Sequence, residues 1–279
     1  MSLQNISLQK KAQAGVHWGH QTSKWNPKME PYIYGEKNGF HIIDLVQTCI
    51  QLKQVNQILT DTAQQGKSCL FVGTRKEISP LIEKIALESN SFYVNQRWLG
   101  GLLTNWKTIQ SSIKKLNKIE LQEKRGELFK DLSKKETALA KKEKERLEKY
   151  LGGVKNMLFL PSIVIIVGQP EEMKAVQECR KLGIPSITLL DTNCNPSLAD
   201  LFITTNDDSV ASVEYILTQF SNAILTGKKK RQKQFLKDRE KTRKKTTSFK
   251  KGTSLTLASS MVSTNQRPKR TNSTKPDKK

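Results

Sequence analysis

The residues in this sequence with the clearest capacity for chemistry are two histidines near its start and three aspartates near its end. His17 and His20 could join Asp191, Asp207 and Asp208 as ligands of a metal ion. Asp191 follows an apolar run and the other two aspartates open a helical stretch, so these carboxylates are expected to meet at the carboxyl edge of a parallel sheet. Their spacing matches no recognised zinc pattern, and helix capping with solvated carboxylates is the alternative. We therefore name His20, Asp191 and Asp207 as candidate ligands of a structural divalent metal and predict no other cofactor.

A second pattern, basic residues interleaved with aromatic ones, lies in an N-terminal segment that we interpret as an extended arm. Trp25 and Asn26 stand between Lys24 and Lys28. Aromatic faces and cationic side chains on an irregular segment suit irregular RNA. The alternative is that Trp25 and the nearby Trp18 pack on the folded domain. We predict that Lys24, Trp25, Asn26 and Lys28 contact RNA.

The boundary between a strand and a helix at Gly73 has the form of a phosphate site. A short apolar run ends at Gly73-Thr74, and Arg75 and Lys76 follow. Free N–H groups at the start of a helix bind anions. Neither glycine pattern of nucleotide-cofactor sites is present there. We therefore predict that Arg75 and Lys76 contact the phosphates of a polynucleotide.

The stretch from Arg97 to Trp106 combines an arginine, two tryptophans and a glycine pair. Arginine and tryptophan side chains stack on bases, and adjacent glycines allow a backbone to approach closely. The alternative is that the tryptophans pack the base of the following helices against the sheet, and both interpretations can hold together. We predict RNA contacts by Arg97, Trp98 and Asn105.

The charge distribution points to a polyanionic partner. The 279 residues include 48 basic and 26 acidic side chains, a net charge of +22. The excess lies in residues 107–149, with 14 basic and 8 acidic side chains, and in residues 227–279, with 19 and 3, whereas the remainder is balanced. A neutral body with two basic appendages fits nucleic acid or an anionic membrane surface. The RNA contacts predicted in the appendages are Lys107, Lys114, Lys115, Lys228, Lys229, Lys230 and Arg231.

Alternating strands and helices must position these residues. Residues 163–167 are all β-branched, as in a strand buried on both faces. Amphipathic helical stretches with short connections flank this strand and others like it, which implies a parallel sheet covered on both sides. We predict one α/β domain made of residues 1–106 and 150–226.

The segment 107–149 interrupts this alternation and predicts a hairpin of two antiparallel helices with its tip at 124–133. The predicted apolar stripes are Ile109, Ile113 and Leu116 on the first helix, and Leu139, Leu147 and Leu151 on the second. A disordered insert is the alternative. The extension 227–279 is poor in apolar residues, so we expect helix at most over 228–245 and disorder beyond.

Nothing in the sequence indicates a membrane span or a catalytic site. The uncharged stretch at 156–170 is shorter than the roughly 20 residues that a spanning helix needs. The N-terminus has no apolar signal segment. The HExxH and GxSxG motifs are absent, and the four cysteines lie far apart, as free thiols do. We predict a protein without enzyme activity.

Many segments together resemble the S2 family of universal small-subunit ribosomal proteins, in its bacterial and plastid branch. The longest are AGVHWGHQT at 14–22 and NQRWLGGLLTNW at 95–106. Further segments that carry the resemblance are 25–29, 32–35, 38–45, 71–74, 150–153, 182–185, 191–196 and 206–208. Gly168 and Ser197 stand where relatives usually carry aspartate, which weakens the prediction of a metal.

The resemblance implies a flavodoxin-like three-layer α/β/α domain with a protruding antiparallel two-helix coiled coil, to which we add a basic disordered tail. It also implies a structural role in translation between the head and body of the small ribosomal subunit. The expected partners are small-subunit rRNA, neighbouring ribosomal proteins and the mRNA-binding protein S1, with no membrane. The expected location is the chloroplast stroma, or alternatively a bacterial cytoplasm.

Two functions of other classes remain open at this point. One is a flavodoxin-like enzyme that binds a nucleotide at the Gly73 turn. The other is a coiled-coil adaptor that binds only protein.

Overall fold

The computed structural model describes the backbone of residues 8–124 and 134–262, and it divides the chain into two compact units after Arg231. The strands are β1 (Trp18–Gln21), β2 (Ile33–Lys37), β3 (Phe40–Ile43), β4 (Cys69–Val72), β5 (Phe92–Val94), β6 (Ile163–Val167), β7 (Ser186–Leu190) and β8 (Leu201–Thr204). The α-helices are α1 (Leu8–Gln13), α2 (Leu45–Gln64), α3 (Ser79–Glu88), α4 (Trp106–Lys124), α5 (Lys134–Leu151), α6 (Met173–Leu182) and α7 (Val210–Val262). Short 3-10 helices span Thr22–Lys24, Pro27–Tyr32, Gly152–Val154 and Pro196–Leu198.

A five-stranded parallel sheet in the order β5-β4-β6-β7-β8 forms the centre of the first unit. Every residue of β4, β6 and β7 is buried, as expected of strands in a parallel sheet with both faces covered. On one face Phe71 packs with Leu52 of α2 and Phe220 of α7. On the other face Val164 packs with Val176 of α6 and with Trp98. The predicted three-layer α/β/α fold with a parallel sheet is confirmed.

A second, antiparallel sheet has the order β1-β3-β2. Asn38 and Gly39 join β2 to β3, and both have positive φ values, 54° and 77°. Two consecutive residues in the left-handed region make the type I′ turn that matches the twist of a hairpin. β1 lies in the segment that we expected to be an extended arm, and it adds a third strand to this hairpin.

Helices α4 and α5 pack against each other in the predicted place. Ile113, Leu116 and Ile119 are buried. Lys115 pairs with Glu143 at 2.6 Å, which links the two helices. The stripe predicted on α5 is partly wrong, because Leu139 is 59% exposed. The tip at 125–133 lies outside the described residues.

Helix α7 is longer than we expected, since it extends to Val262 whereas we placed the end of helical character near 245. No proline interrupts the sequence between Pro196 and Pro268, so no residue there breaks the hydrogen-bond ladder of a helix. Residues 246–262, for which we predicted disorder, are helical. Residues 263–279 lie outside the described residues.

The start of the predicted extension belongs to the first unit. A Cβ added at Gly227 would overlap the Thr60 carbonyl and lie 2.7 Å from Ala63 Cβ. Only glycine permits this approach of α7 to α2. The division of the chain at 226/227 stays a prediction, and these contacts favour a boundary after Arg231.

Within the described ranges, no helix combines the length and apolar character of a membrane span.

Candidate nucleic-acid interface

The carboxyl edge of the central sheet brings the predicted metal ligands together. His20 reaches this edge because its backbone N–H donates to Thr192 Oγ1 at 2.9 Å, just after β7. Its ring nitrogens then face two carboxylates, Nδ1 at 3.1 Å from Asp191 Oδ2 and Nε2 at 3.3 Å from Asp208 Oδ2. The hydrogen bond to Asp191 raises the pKa of His20 above its ordinary value. The edge is therefore a closely packed cluster of opposite charges.

Arg75 supplies the second positive charge of this cluster. Its guanidinium pairs with Asp208, donates to the Asp207 carbonyl, and lies 3.4 Å from Asp207 Oδ1. Burial and the nearby Asp191 charge raise the pKa of Asp207 to about 7. Among the described residues, no group of three or more histidine, cysteine and acidic side chains is arranged to hold a metal ion. The residues predicted as metal ligands meet, and the His20 ring and the Arg75 guanidinium are the partners of their carboxyl groups.

The raised pKa of Asp207 predicts that the protein loses stability as pH rises. An unfolded aspartate titrates near 3.8, so between about pH 4 and 7 the unfolded chain releases a proton that the folded chain retains. The free energy of unfolding then falls by at most about 1.4 kcal/mol per pH unit. The raised pKa of His20 acts in the same direction above its ordinary value. Denaturant unfolding between about pH 5 and 8 should show this fall, and Asp207→Asn should weaken it; an equal slope in both proteins would contradict the assignment.

The turn at Gly73 is not an open phosphate site. The Thr74 N–H already donates to Glu172 Oε1 at 2.8 Å, and burial raises the pKa of Glu172. Arg75 is engaged with Asp207 and Asp208, so its guanidinium already has internal partners. Nothing in the sequence indicated that those acids lie beside it, and its contact with phosphate stays a prediction. Lys76 is exposed and stays a predicted RNA contact.

The loop from Arg97 to Asn105 is held by one carboxylate that sequence reasoning missed, Glu178 of α6. Glu178 accepts hydrogen bonds from Trp98 Nε1 at 3.0 Å, and from the N–H groups of Gly101 at 2.7 Å, Leu103 at 3.0 Å and Thr104 at 3.0 Å. Burial alone would raise the pKa of Glu178, but these hydrogen bonds outweigh it and keep the pKa below its ordinary value. Glu178 is separated from these partners by 74 or more residues in the sequence. No local pattern around it indicates that it binds this loop.

Trp98 and Arg97 have different environments in this loop. Trp98 is only 6% exposed, so its ring packs in the core, as the alternative interpretation states. This burial argues against the contact with RNA that we predicted for it. Arg97 is exposed, as is Asn105. Asp44, an acid that could pair with Arg97, instead accepts a hydrogen bond from the Val46 N–H and caps α2. In the part of the chain that the structure describes, Arg97 forms no ion pair.

The N-terminal candidates flank an anchored segment. Trp25 is half-buried, with its ring 5.0 Å from that of His41, and the Asn26 N–H donates to the Thr192 carbonyl at 2.8 Å. Lys24 and Lys28 are exposed on either side. The packing alternative thus holds for the ring of Trp25, and the lysines are the side chains available to a partner.

The predicted RNA contacts on α4 and α7 also divide into exposed side chains and side chains with an internal partner. Lys107 and Lys114 are exposed, whereas Lys115 is paired with Glu143. Lys228 Nζ donates to the carbonyls of Ser89 and Asn90, both at 2.8 Å, and closes the C-terminal end of α3. Burial lowers the pKa of Lys228. Lys228 is therefore a structural residue of the first unit, whereas Lys229 and Arg231 are exposed.

The fold is a three-layer α/β scaffold whose acidic cluster is paired internally and whose surface carries unpaired basic side chains, the arrangement expected of a protein that binds a polyanion. Residues 12–227 match the family described as ribosomal protein S2. The chain is 62% identical over 222 residues to the small ribosomal subunit protein uS2c of Oltmannsiellopsis viridis, covering 80% of this chain and 93% of that one. It belongs to the ribosomal protein S2 family, as a plastid-type member.

Two further relatives are similar over the same part of the chain. The uS2c protein of Chlorella vulgaris is 56% identical over 225 residues, covering 81% of this chain and 84% of that protein. The uS2 protein of the bacterium Microcystis aeruginosa is 49% identical over 224 residues, covering 80% and 84%. The predicted resemblance is confirmed, and so is the prediction of a structural ribosomal protein without enzyme activity. The alternatives of a nucleotide-binding enzyme and of a protein-only adaptor are not supported.

Proposed function

We propose that this chain is incorporated into the small subunit of a plastid ribosome, in the stroma, by contacts between its unpaired basic side chains and rRNA. The observation that carries the proposal is the separation of charges in the first unit. Arg75, Lys115 and Lys228 have internal partners, whereas Lys24, Lys76 and Arg97 are exposed and form no ion pair with any described residue. The proposed contacts with rRNA are Lys24, Lys28, Lys76, Arg97, Asn105, Lys107, Lys114, Lys229, Lys230 and Arg231.

Arg97 is the residue on which we place the sharpest of these contacts. Its planar guanidinium forms bidentate contacts with phosphate or stacks on bases, which a lysine does not do. It lies between β5 and a loop fixed by Glu178, so little backbone freedom remains for binding to remove. A lysine such as Lys229 is followed by Lys230 and Arg231, which can replace it.

Replacing Arg97 with alanine should therefore lower occupancy in assembled small subunits without destabilising the free protein. We expect about a tenfold loss, the effect of one charge-assisted contact of roughly 1.5–3 kcal/mol. Lys229→Ala is the matched control and should stay within twofold of wild type, about 0.4 kcal/mol. Occupancy would be measured by mass spectrometry of purified subunits, and stability by thermal unfolding. Normal occupancy of Arg97→Ala would remove Arg97 from the interface.

Neighbouring ribosomal proteins are further partners, and we propose that the mRNA-binding protein S1 is among them. The family resemblance supports this proposal. The small antiparallel sheet carries exposed aromatic side chains, because Tyr34 is 81% exposed, Phe40 40% and Trp18 39%. Exposed aromatic side chains are typical of surfaces that bind protein.

A further inference from the structure

An exposed apolar pair lies at the amino end of the central sheet, opposite the charged cluster. Leu158 is 74% exposed and Phe159 79%, in the segment that leads into β6. Together with Phe92 at the start of β5 they line a cavity of about 340 Å³ whose polar side is formed by Lys67, Asn156 and two serines. We call this cavity and its rim the Phe159 surface. None of its lining residues is acidic.

The fold holds the Phe159 surface open. Gln110 Nε2 of α4 donates to the Leu158 carbonyl at 3.1 Å, and the Ser162 N–H donates to the Ser68 carbonyl at 2.9 Å. Met157, on one side of the pair, is 3% exposed and anchors the segment in the core. The backbone on both sides of Phe159 is therefore fixed, and its ring is presented outward by that anchoring.

Basic side chains border this surface on two sides. Lys67 lines the cavity, and a Cβ added at the adjacent Gly66 would overlap the guanidinium of Arg231. On the opposite side, Lys107 and Lys114 lie three and four residues from Gln110 and so share its face of α4. Across the described residues, Lys67, Lys107 and Lys114 form no ion pair. Glu120, which pairs with Lys155, adds no free negative charge.

We propose that the Phe159 surface binds an unpaired nucleotide of the rRNA, an inference that rests on the proposed function and names one site of it. Every base has a π-face that stacks on an aromatic ring, while basic side chains on both sides take the flanking phosphates. The Asn156 amide lies in the same cavity and offers a donor and an acceptor to the edge of the base. The exposed pair Leu158 and Phe159 alone would also suit a protein partner. The basic side chains beside it, with no unpaired acid among the residues that line the cavity, favour RNA.

The test compares the affinity of the full chain and its variants for an in vitro transcript of the small-subunit rRNA. Phe159→Ala should lower affinity by about tenfold, within the range measured for loss of one stacked base. Phe159→Tyr keeps a stacking face and should stay within about twofold of wild type. Leu158→Ala is the matched control, since it removes exposed apolar surface from the same cavity without removing a π-face, and it too should stay within about twofold. Because Phe159 is largely exposed, thermal unfolding should be the same for all four proteins.

Ultraviolet cross-linking of the wild-type complex should join the peptide that contains Phe159 to a nucleotide. Wild-type affinity of Phe159→Ala, or an equal loss in Leu158→Ala, would overturn the stacking site. Loss of a neighbouring protein from Phe159→Ala subunits with unchanged RNA affinity would assign the surface to protein and would also overturn it. If the wild-type chain itself fails to bind the transcript, the proposed function fails, and that outcome is distinct from a failure of this site alone.

Discussion

Replacing Glu178 with alanine is expected to destabilise the protein by about 2–4 kcal/mol and to loosen the loop that presents Arg97. The carboxylate accepts hydrogen bonds from the indole of Trp98 and from the backbone N–H groups of Gly101, Leu103 and Thr104. Without it, the donors of Trp98 and Leu103 are left in a buried setting with no acceptor, and an unmade buried hydrogen bond costs about 1–3 kcal/mol. Two such donors together would cost about 2–6 kcal/mol. We expect the lower part of that range, because Thr104 is exposed and water can replace the carboxylate as the partner of its N–H.

Glu178→Gln and Gln177→Ala are the informative companions of this variant. Glutamine keeps one acceptor oxygen but replaces the other with a donor, so an intermediate loss is expected. Gln177 is exposed on the same helix, and its replacement should change stability by about 0.5 kcal/mol or less. Denaturant unfolding measures all three, and subunit occupancy should fall with Glu178→Ala as it does with Arg97→Ala. Wild-type stability of Glu178→Ala would mean that the carboxylate does not hold the loop.

The central strands could be predicted from the sequence because their apolar character is continuous and local. The predicted bounds of β6, 163–167, are those of the structure, and Gly183 ends α6 in the left-handed conformation, with φ at 65°. Such signals depend on neighbours in the chain. β1 gave no comparable signal, because Trp18–Gln21 has little β-propensity and becomes a strand by pairing with β3.

The candidate site was less predictable because its partners come from distant parts of the chain. The sequence indicated that Asp191 and Asp207 would meet, since parallel strands share a carboxyl edge. It did not indicate that Arg75 would join them, or that Glu178 would bind the loop after Arg97, because both contacts depend on which helix covers which strand. The packing of helices on strands also decides which lysines are exposed and which are structural, as Lys228 is. Amino-acid composition does not distinguish the two kinds.

Replacing Leu116 with aspartate is expected to disrupt the packing of α4 on α5 and to lower the free energy of unfolding by several kcal/mol. Leu116 has 0% of its surface exposed, so a carboxylate placed there would be removed from water. Burying an unpaired charge costs several kcal/mol, or forces the site to open to water. Leu116→Ala keeps the site apolar and should cost about 2–5 kcal/mol through the cavity that it leaves.

Lys118→Ala is the control for this prediction, because Lys118 is exposed two positions further along α4 and should change stability by about 0.5 kcal/mol or less. Helicity by circular dichroism and denaturant unfolding would be measured for the three variants. The order of losses should be Leu116→Asp, then Leu116→Ala, then Lys118→Ala. RNA affinity should also fall most in Leu116→Asp, since α4 carries Lys107 and Lys114 and holds Leu158 through Gln110. Equal losses in Leu116→Asp and Lys118→Ala would show that the buried face of α4 is assigned wrongly, and with it the position of the lysines that we place against RNA.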